Sequence, residues 1–323
     1  MTHAIRVHKP GGPEALQWDQ IEVGTPGPGQ VRLRHTAIGL NFIDVYHRTG
    51  FYPLPLPFIP GSEGAGVVEA VGDGVTSLVP GDRVAYAGVL GGYAEERLIA
   101  ADRLVKLPAG VADQTAAAMM LQGMTVRYLI REVYPVKAGD TILIHAAAGG
   151  VGLILCQWAS SLGATVIGTV SSDEKAALAK ANGCHHPIIY TREDFPKRVL
   201  EITGGKKLPV VYDSIGKDTF MQSLDCLRPR GLMAMFGQAS GGVPPFDVNV
   251  LAQKGSLYLT RPTLGTFIST AETLKATADD LFDVVASGKV KIAVNQTYAL
   301  KDAAQAHIDL ESRKTTGSTV FTL

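Results

Sequence analysis

The stretch Gly139-Asp140-Thr141-Ile142-Leu143-Ile144-His145-Ala146-Ala147-Ala148-Gly149-Gly150-Val151-Gly152 decides the fold of this chain. Its β-branched and apolar run from Thr141 to His145 predicts a buried strand, and Leu153 to Leu162, closed by Gly163, predicts an apolar helix. Only small residues join the two. Such a turn leaves backbone N–H groups at a helix N-terminus free of side-chain cover. Unpaired donors and the positive end of the helix dipole hold a pyrophosphate there. The pattern is AxGxxG (Ala147, Gly149, Gly152), with alanine where the first turn glycine of GxGxxG is expected. The backbone of Ala148, Gly149, Gly150 and Val151 is the candidate phosphate cradle. A tight turn without a ligand is the alternative, and the strand–turn–helix context favours the cradle.

Outward from this turn the pattern repeats. Alternating strands and helices are predicted over 141–145, 153–162, 164–170, 174–182, 186–189, 194–203, 208–213, 218–227, 231–236 and 256–261. That spacing implies a parallel, doubly wound α/β sheet. The first 120 residues differ. They are rich in Gly and Pro, with short apolar runs at Ile5–Val7, Val31–His35, Gly64–Val71, Arg83–Tyr86 and Tyr93–Ile99, which suggest an irregular antiparallel β domain. A helical pattern begins near Thr115 and runs through Met119, Met120 and Leu129. The tail predicts an amphipathic helix over Ala271–Ala286, then strand-like and helical pieces ending in Ser318–Leu323, and it is expected to rejoin the first domain.

Composition narrows the function. At 323 residues, two domains are the natural expectation. Apolar residues at 46% with 19% charged describe an ordinary globular chain. Thirty basic and thirty acidic side chains cancel, and no Lys/Arg run is present, so a nucleic-acid partner is not expected. No secretory h-region follows Met1 and no stretch is apolar enough to span a membrane, so a cytoplasmic location is the default. Cys156, Cys184 and Cys226 are few, odd in number and widely spaced, as reduced buried thiols are.

The second strand of the α/β unit, Thr165–Val170 with Gly168, selects the dinucleotide. A strand-end acidic residue binds the ribose diol in NAD sites. Here Ser171 and Ser172 follow the strand, one of them capping a helix that carries Lys175 in its first turn. Hydroxyls with a lysine suit a 2′-phosphate, so NADPH is preferred over NADH; a capped helix with a solvated lysine is the alternative. Ser214 and Phe236-Gly237-Gln238 close two later strands on the carboxyl edge of the sheet, where α/β folds place ligands.

Gly61-Ser62-Glu63-Gly64-Ala65-Gly66, with Gly72, Val75 and Gly81-Asp82-Arg83-Val84, resembles the GHExxG region of medium-chain dehydrogenases/reductases. Gly139 through Ala147–Gly150, Gly152, Gln157 and Ser160 is similar to the zinc-independent quinone oxidoreductase (zeta-crystallin-like) branch. The resemblance extends over essentially the whole chain, through Asn41–Asp44, Tyr46 and Lys254-Gly255-Ser256 near Arg261-Pro262. It implies a Rossmann sheet over 125–265 and a GroES-like β domain built from both chain ends, 1–124 and 266–323. Zinc members carry Cys near position 41 and His after Gly61. This chain has Asn41 and Ser62, and no cysteine before Cys156, so no metal is expected.

The resemblance also implies roles. Asn41, Tyr46 and Thr125 fall beside the nicotinamide, Tyr190 near the adenine, and Arg261 and Arg313 among the cofactor contacts. Asn41, Tyr46 and Tyr52 are the catalytic candidates. A tyrosine hydroxyl hydrogen-bonding a quinone oxygen as charge develops on it is one reading; rim aromatics that only shape the pocket are the other. Cys156 is expected to be inert and His145 to be packed rather than catalytic. Val248–Leu251 and Lys254-Gly255 are expected to lead into an edge strand, which in this superfamily pairs into a homodimer. The implied activity is NADPH-dependent reduction of quinones without metal. An enoyl or alkenal double-bond reductase, and an NADPH-binding crystallin-like or regulatory protein without turnover, are the alternatives.

Overall fold

The computed structural model describes residues 2–323. From the N-terminus, β1 (Thr2–Val7) and β2 (Leu16–Ile21) form an antiparallel pair. β3 (Gln30–Leu40), α1 (Phe42–Thr49), β4 (Glu63–Val71), β5 (Arg83–Ala87), β6 (Glu96–Ala100) and β7 (Val105–Lys106) follow. Strand β3 shows why the sheet forms. Val31, Leu33 and His35 point inward, while Arg32 and Arg34 point outward to Glu96 and Glu69. That period of two buries one face and solvates the other. Two short helices, α2 (Asp113–Ala117) and α3 (Met120–Tyr128), come next. The single predicted helix from Thr115 to Leu129 is thus broken at Ala118 and Met119 and ends in a wide turn over Leu129–Val133. Strand β2 went unread, because its outward faces are polar and only Leu16 is buried.

The α/β part runs β8 (Thr141–Ile144), α4 (Gly150–Ser161), β9 (Thr165–Val170), α5 (Asp173–Ala181), β10 (His186–Ile189), α6 (Phe195–Ile202), β11 (Leu208–Asp213), α7 (Phe220–Asp225), β12 (Leu227–Met235), α8 (Asn249–Gln253) and β13 (Tyr258–Thr260). All six strands pair in parallel, in the order β10-β9-β8-β11-β12-β13. This is the doubly wound arrangement in which strand order reverses beside the first strand and a crevice opens at the carboxyl ends. Leu143, Ile167, Ile188, Val211 and Met233 fill its core with Phe195 and Phe220. The segment read as leading into the edge strand, Val248–Leu251, is largely helical (α8), and the edge strand itself is β13.

The tail supplies α9 (Leu264–Phe267), α10 (Ala271–Ala286), β14 (Val294–Ala299), α11 (Ala303–Glu311) and β15 (Ser318–Thr322). β15 pairs antiparallel with β3, so the larger β sheet runs β14-β15-β3-β4-β5-β7, with β6 also on β3. Phe321, Leu300 and Ala303 pack with Ile5, Ile38 and Tyr93 in one core, which ties both chain ends together. The fold is therefore a parallel α/β sheet and a GroES-like β domain. The compact units comprise Met1–Met124, Phe267–Ala286 and Ile292–Leu323 in one, and Thr125–Thr266 with Ser287–Lys291 in the other. Residues 287–291, read from sequence with the first unit, fall in the second. No helix of the described residues is long and apolar enough to cross a membrane.

Candidate active site

In the α/β unit the turn after β8 is bare. Helix α4 starts at Gly150 behind Gly149, and no side chain caps it. Its first N–H groups have no partner within the helix. A Cβ at Gly152 would sit 2.3 Å from the Ala146 carbonyl oxygen, so only glycine lets the helix start this close to the turn. The left-handed residue is Ala146, with φ of 54°. The sequence placed the substituted turn position at Ala147; the conformational demand falls one residue earlier. Holding a non-glycine residue there costs about 1–2 kcal/mol, and the Ala147 N–H to Thr169 carbonyl bond (3.0 Å) helps pin the turn. Gly168 lies beneath it, where a Cβ would meet Ala147 Cβ at 2.5 Å and Cys184 Sγ at 2.7 Å.

At the ends of β9 and β10 a polar group gathers. Ser172 is the N-cap of α5 and its hydroxyl accepts the Lys175 N–H at 3.3 Å. The Thr191 hydroxyl donates to the Ser171 carbonyl at 3.2 Å, and the Tyr190 N–H donates to Val170 at 3.1 Å. Arg192 grips Asp173 with two bonds of 2.8 and 2.6 Å. The structure so brings Ser171, Ser172, Lys175 and Tyr190 together, and adds Arg192, paired with Asp173, and Glu174, whose carboxylate hydrogen-bonds Ser172.

The ends of β11 and β12 abut. Asp213 accepts the Ile215 and Gly216 N–H groups at 2.7 and 3.0 Å, which shapes the loop carrying Ser214. A Cβ at Gly237 would lie 2.7 Å from the Ser214 carbonyl, so Ser214 and the Phe236–Gln238 segment touch through backbone. His145 is fully enclosed between Thr169 (2.8 Å) and Ser223 (2.9 Å), with burial lowering its pKa; it is a packed, neutral histidine. Cys156 is likewise buried, and its hydrogen bond with the adjoining Cys184 thiol, together with burial, raises its pKa well above normal. Thr125 is buried and hydrogen-bonds Tyr128, whose phenol also feels the Arg261 charge.

The β unit holds a different construction. Asn41 follows β3 as the N-cap of α1, and it is buried. Its side chain lies 2.6 Å from Glu63 Oε2 and 3.1 Å from the Gln122 amide. The Glu63 Oε1 accepts the Leu121 N–H at 2.8 Å, a donor exposed by the break that starts α3. Burial pushes the Glu63 carboxyl up to about 8 and the Asp44 carboxyl up to about 7. The Asp44 carboxylate accepts the Asn41 N–H (2.9 Å) and the Tyr93 hydroxyl (3.0 Å). Behind Tyr93 stand His307, at 3.1 Å, and the buried Arg48, which reaches His307 (3.2 Å) and Glu311 (2.9 Å). Burial, reinforced by the Arg48 charge, lowers His307 to about 3, so the imidazole is neutral. Arg48 therefore donates to Nδ1 and Nε2–H donates onward to Tyr93.

On α1 and the loop after it, Tyr46 sits in an aromatic group. Its ring centroid is 5.4 Å from Phe42, 5.5 Å from Phe51 and 5.1 Å from Tyr52. Tyr46 is buried and Tyr52 half-buried, and the Tyr52 N–H donates to the Tyr46 carbonyl. Arg313 is exposed and takes a left-handed φ of 60° just after α11. Among the described residues no group of three or more His, Cys, Asp or Glu side chains is arranged to hold a metal ion.

Residues 27–109 match the alcohol dehydrogenase GroES-like domain family, and residues 150–285 match the zinc-binding dehydrogenase family. A quinone oxidoreductase of Pseudomonas aeruginosa is 55% identical over 323 residues, covering 99% of each chain. A 2-haloacrylate reductase of Burkholderia is 50% identical over 330 residues, covering 99% of each. The crystal structure of Escherichia coli quinone oxidoreductase complexed with NADPH superimposes with a TM-score of 0.98 at 49% identity, covering 99% of this chain and 100% of that one. The chain belongs to the quinone oxidoreductase branch of the medium-chain dehydrogenase/reductase superfamily.

In this quinone oxidoreductase family member, sequence reading missed part of the polar core. Glu63 stands in the quoted GSEGAG motif and Asp44 closes the quoted Asn41–Asp44 segment, but neither was read as part of a buried hydrogen-bond network. Gln122, Tyr93, His307, Arg48 and Ser318 gave no local signal, because the sheet assembles them from distant positions. Arg192 had a signal of a kind: a cation two residues after Tyr190, beside the phosphate-type cluster.

Proposed function

We propose that this protein reduces quinones with reducing equivalents from NADPH, without a metal ion. The observation that carries the reading is the end-to-end correspondence with a quinone oxidoreductase solved with NADPH. The residues present fit that cofactor. The uncovered N–H groups of Gly150 and Val151, with Ala148 and Gly149, suit the pyrophosphate, and a side chain at Gly152 would close the cradle. Ser171, Ser172 and Lys175 suit the 2′-phosphate, with Tyr190 beside the adenine. Gly168, Ser214, Phe236, Gly237, Gln238, Arg261 and Arg313 complete the proposed contacts, and Asn41, Tyr46 and Thr125 receive the nicotinamide.

The bound nicotinamide supplies the hydride, and the protein orients and desolvates it. Tyr46 and Tyr52 hold hydroxyls to donate to the quinone oxygen as negative charge builds there. The metal-free reading is supported at Asn41 and Glu63, which are committed to each other and to Gln122 and Leu121. A homodimer in the cytoplasm is part of the proposal. Edge strand β13, with Tyr258 and Leu259 exposed, suits pairing with a second copy.

The Burkholderia relative gives one specific reason to include a second acceptor class, an activated alkene conjugated to a carbonyl. The test is NADPH oxidation by the purified protein with para-benzoquinone, phenanthrenequinone and a haloacrylate, with NADH and a chelator-treated sample alongside. Fast quinone turnover, NADPH preference and no chelator effect are expected. Turnover of the alkene alone would move the protein to the double-bond reductases, and loss of activity on chelation would overturn the metal-free part.

A further inference from the structure

The polar side chains around Asn41 can be counted atom by atom. Ser318, on β15, lies 2.9 Å from the Ala118 carbonyl and 2.7 Å from the Gln122 side-chain amide. Its hydroxyl carries one proton, and a backbone carbonyl can only accept. If that proton goes to Ala118, the Gln122 group facing Ser318 must be the NH2, and the Gln122 oxygen faces Asn41. Asn41 then turns its own NH2 to Gln122, at 3.1 Å, and its oxygen to Glu63. The Asp44 N–H, which faces the Asn41 side chain at the start of α1, keeps its bond to the Asn41 backbone carbonyl at 3.0 Å. Two oxygens now lie 2.6 Å apart at Asn41 and Glu63. That separation is usual for O–H···O and shorter than usual for N–H···O. A proton must lie between them, and only Glu63 can carry it. Amide ends are assigned from such networks, not from the shape of the side chain. In the opposite setting Ser318 would have to serve two acceptors with one proton, and a buried carbonyl would lose its donor.

We infer that Glu63 is a positioning residue, held as a neutral carboxylic acid that donates to Asn41 Oδ1, and that the relay Glu63–Asn41–Gln122–Ser318–Ala118 fixes which end of the Asn41 amide serves the reaction. The task given to Asn41 rests on the function proposed above; the position of the proton does not. The fold makes room for the acid. A Cβ at Gly39 would meet Glu63 Oε2 at 2.5 Å and the Ala117 carbonyl at 2.1 Å. No group that hydrogen-bonds Glu63 is a cation: Asn41 and the Leu121 and Met120 N–H groups are its partners. The titratable groups facing it are Asp44 on α1, Tyr86 on β5 and Tyr93; His35 on β3 and Arg97 lie behind Tyr86. Burial and the Asp44 charge raise the Glu63 carboxyl, and they outweigh the Leu121 and Met120 N–H groups that lower it.

Removing the proton at alkaline pH reverses every donor in the relay, because a carboxylate can only accept. The test pairs difference infrared spectroscopy with the pH profile of kcat/KM, on wild type, Glu63→Gln and Asp44→Asn. A carboxylic-acid carbonyl band is expected at neutral pH, fading with a midpoint near 8 and absent from E63Q but kept in D44N. The wild-type kcat/KM for quinone is expected to fall about tenfold per pH unit above that midpoint. E63Q, which offers a permanent donor, is expected to lose this limb. No acid band removed by E63Q would overturn the protonated relay, and this reading needs no turnover at all. A band removed by E63Q with the alkaline limb unchanged would overturn the positioning role while leaving quinone reduction in place.

Discussion

The turn after β8 and the polar core around Asn41 use opposite means. The turn is built from consecutive small residues, Ala146 to Gly152, and presents backbone. The polar core is built from side chains at positions 41, 44, 48, 63, 93, 122, 307 and 318, drawn from the junction of β3 and α1, from α1, β4, α3, α11 and β15, and from the segment before β6. Backbone donors have no pKa and cannot change state, so the turn presents a fixed partial positive charge, which in the proposed function meets the pyrophosphate. Buried carboxyls and amides can be set in more than one proton arrangement. The turn is thus indifferent to pH, and the polar core is not.

The largest effect that breaks the comparison belongs to the turn. Gly152→Val places its Cβ against the Ala146 carbonyl and pushes α4 off the turn. NADPH affinity is expected to fall about 100-fold, or about 2.8 kcal/mol, measured by calorimetry, with the pH profile of residual activity unchanged. Next, Lys175→Ala removes a charge-assisted contact, whose typical worth is about 1.5–3 kcal/mol. The ratio of NADPH to NADH in kcat/KM is expected to fall about tenfold or more. Arg192→Ala unmasks Asp173 beside the same group and is expected to lower that ratio by a smaller factor, about threefold for a partly exposed pair. Equal losses for both cofactors would count against the 2′-phosphate assignment.

The same contrast explains what the sequence made readable. A strand, a small-residue turn and a helix lie in one continuous stretch, so α4, a serine cap at the start of α5 and the parallel α/β sheet followed from local pattern. His145 and Cys156 also read correctly as packed groups, since His145 closes a buried apolar strand and Cys156 lies on the core face of an apolar helix. The Asn41 core resisted because its partners meet only after β15 pairs with β3 and the chain breaks between α2 and α3. That break could not be read either: Ala116-Ala117-Ala118-Met119-Met120 are good helix formers, and the tertiary contacts of Ser318 and Glu63 override them. Ala146 shows the same limit on a smaller scale, because glycine-pattern reading attends to Ala147.

The polar core makes stability depend on pH in an unusual direction. Asp44 and Glu63 hold protons in the fold at pH values where the unfolded chain has released them. Below about pH 6.5 the buried, neutral His35 and His307 offset this; above it the native state binds more protons, so unfolding free energy falls as pH rises from about 6.5 through the folded values near 7 and 8, and levels off above them. Each carboxyl that takes up a full proton contributes a slope of about 1.4 kcal/mol per pH unit. Thermal melts over that range should show Tm declining, and Asp44→Asn or Glu63→Gln should each flatten the decline. The turn contributes nothing to this slope, so G152V should leave it in place.

The smallest effect sharpens what the aromatic group does. Tyr52→Phe keeps the ring against Tyr46 and removes only a hydroxyl. If that hydroxyl supports developing charge on the acceptor, its loss is one neutral hydrogen bond, about 1 kcal/mol, or about fivefold in kcat/KM for quinone. NADPH affinity should not change, because the hydroxyl is assigned to the acceptor. The size of the effect should also depend on the acceptor. A strongly electrophilic quinone takes hydride with little help, whereas a weaker one builds more charge on oxygen before transfer is complete and leans harder on the donor. A loss that grows from para-benzoquinone to a less electrophilic quinone marks Tyr52 as a hydrogen-bond donor in the reaction. A loss of equal size across acceptors marks it as a wall of the aromatic group, and the donor role then passes to Tyr46→Phe as the next comparison.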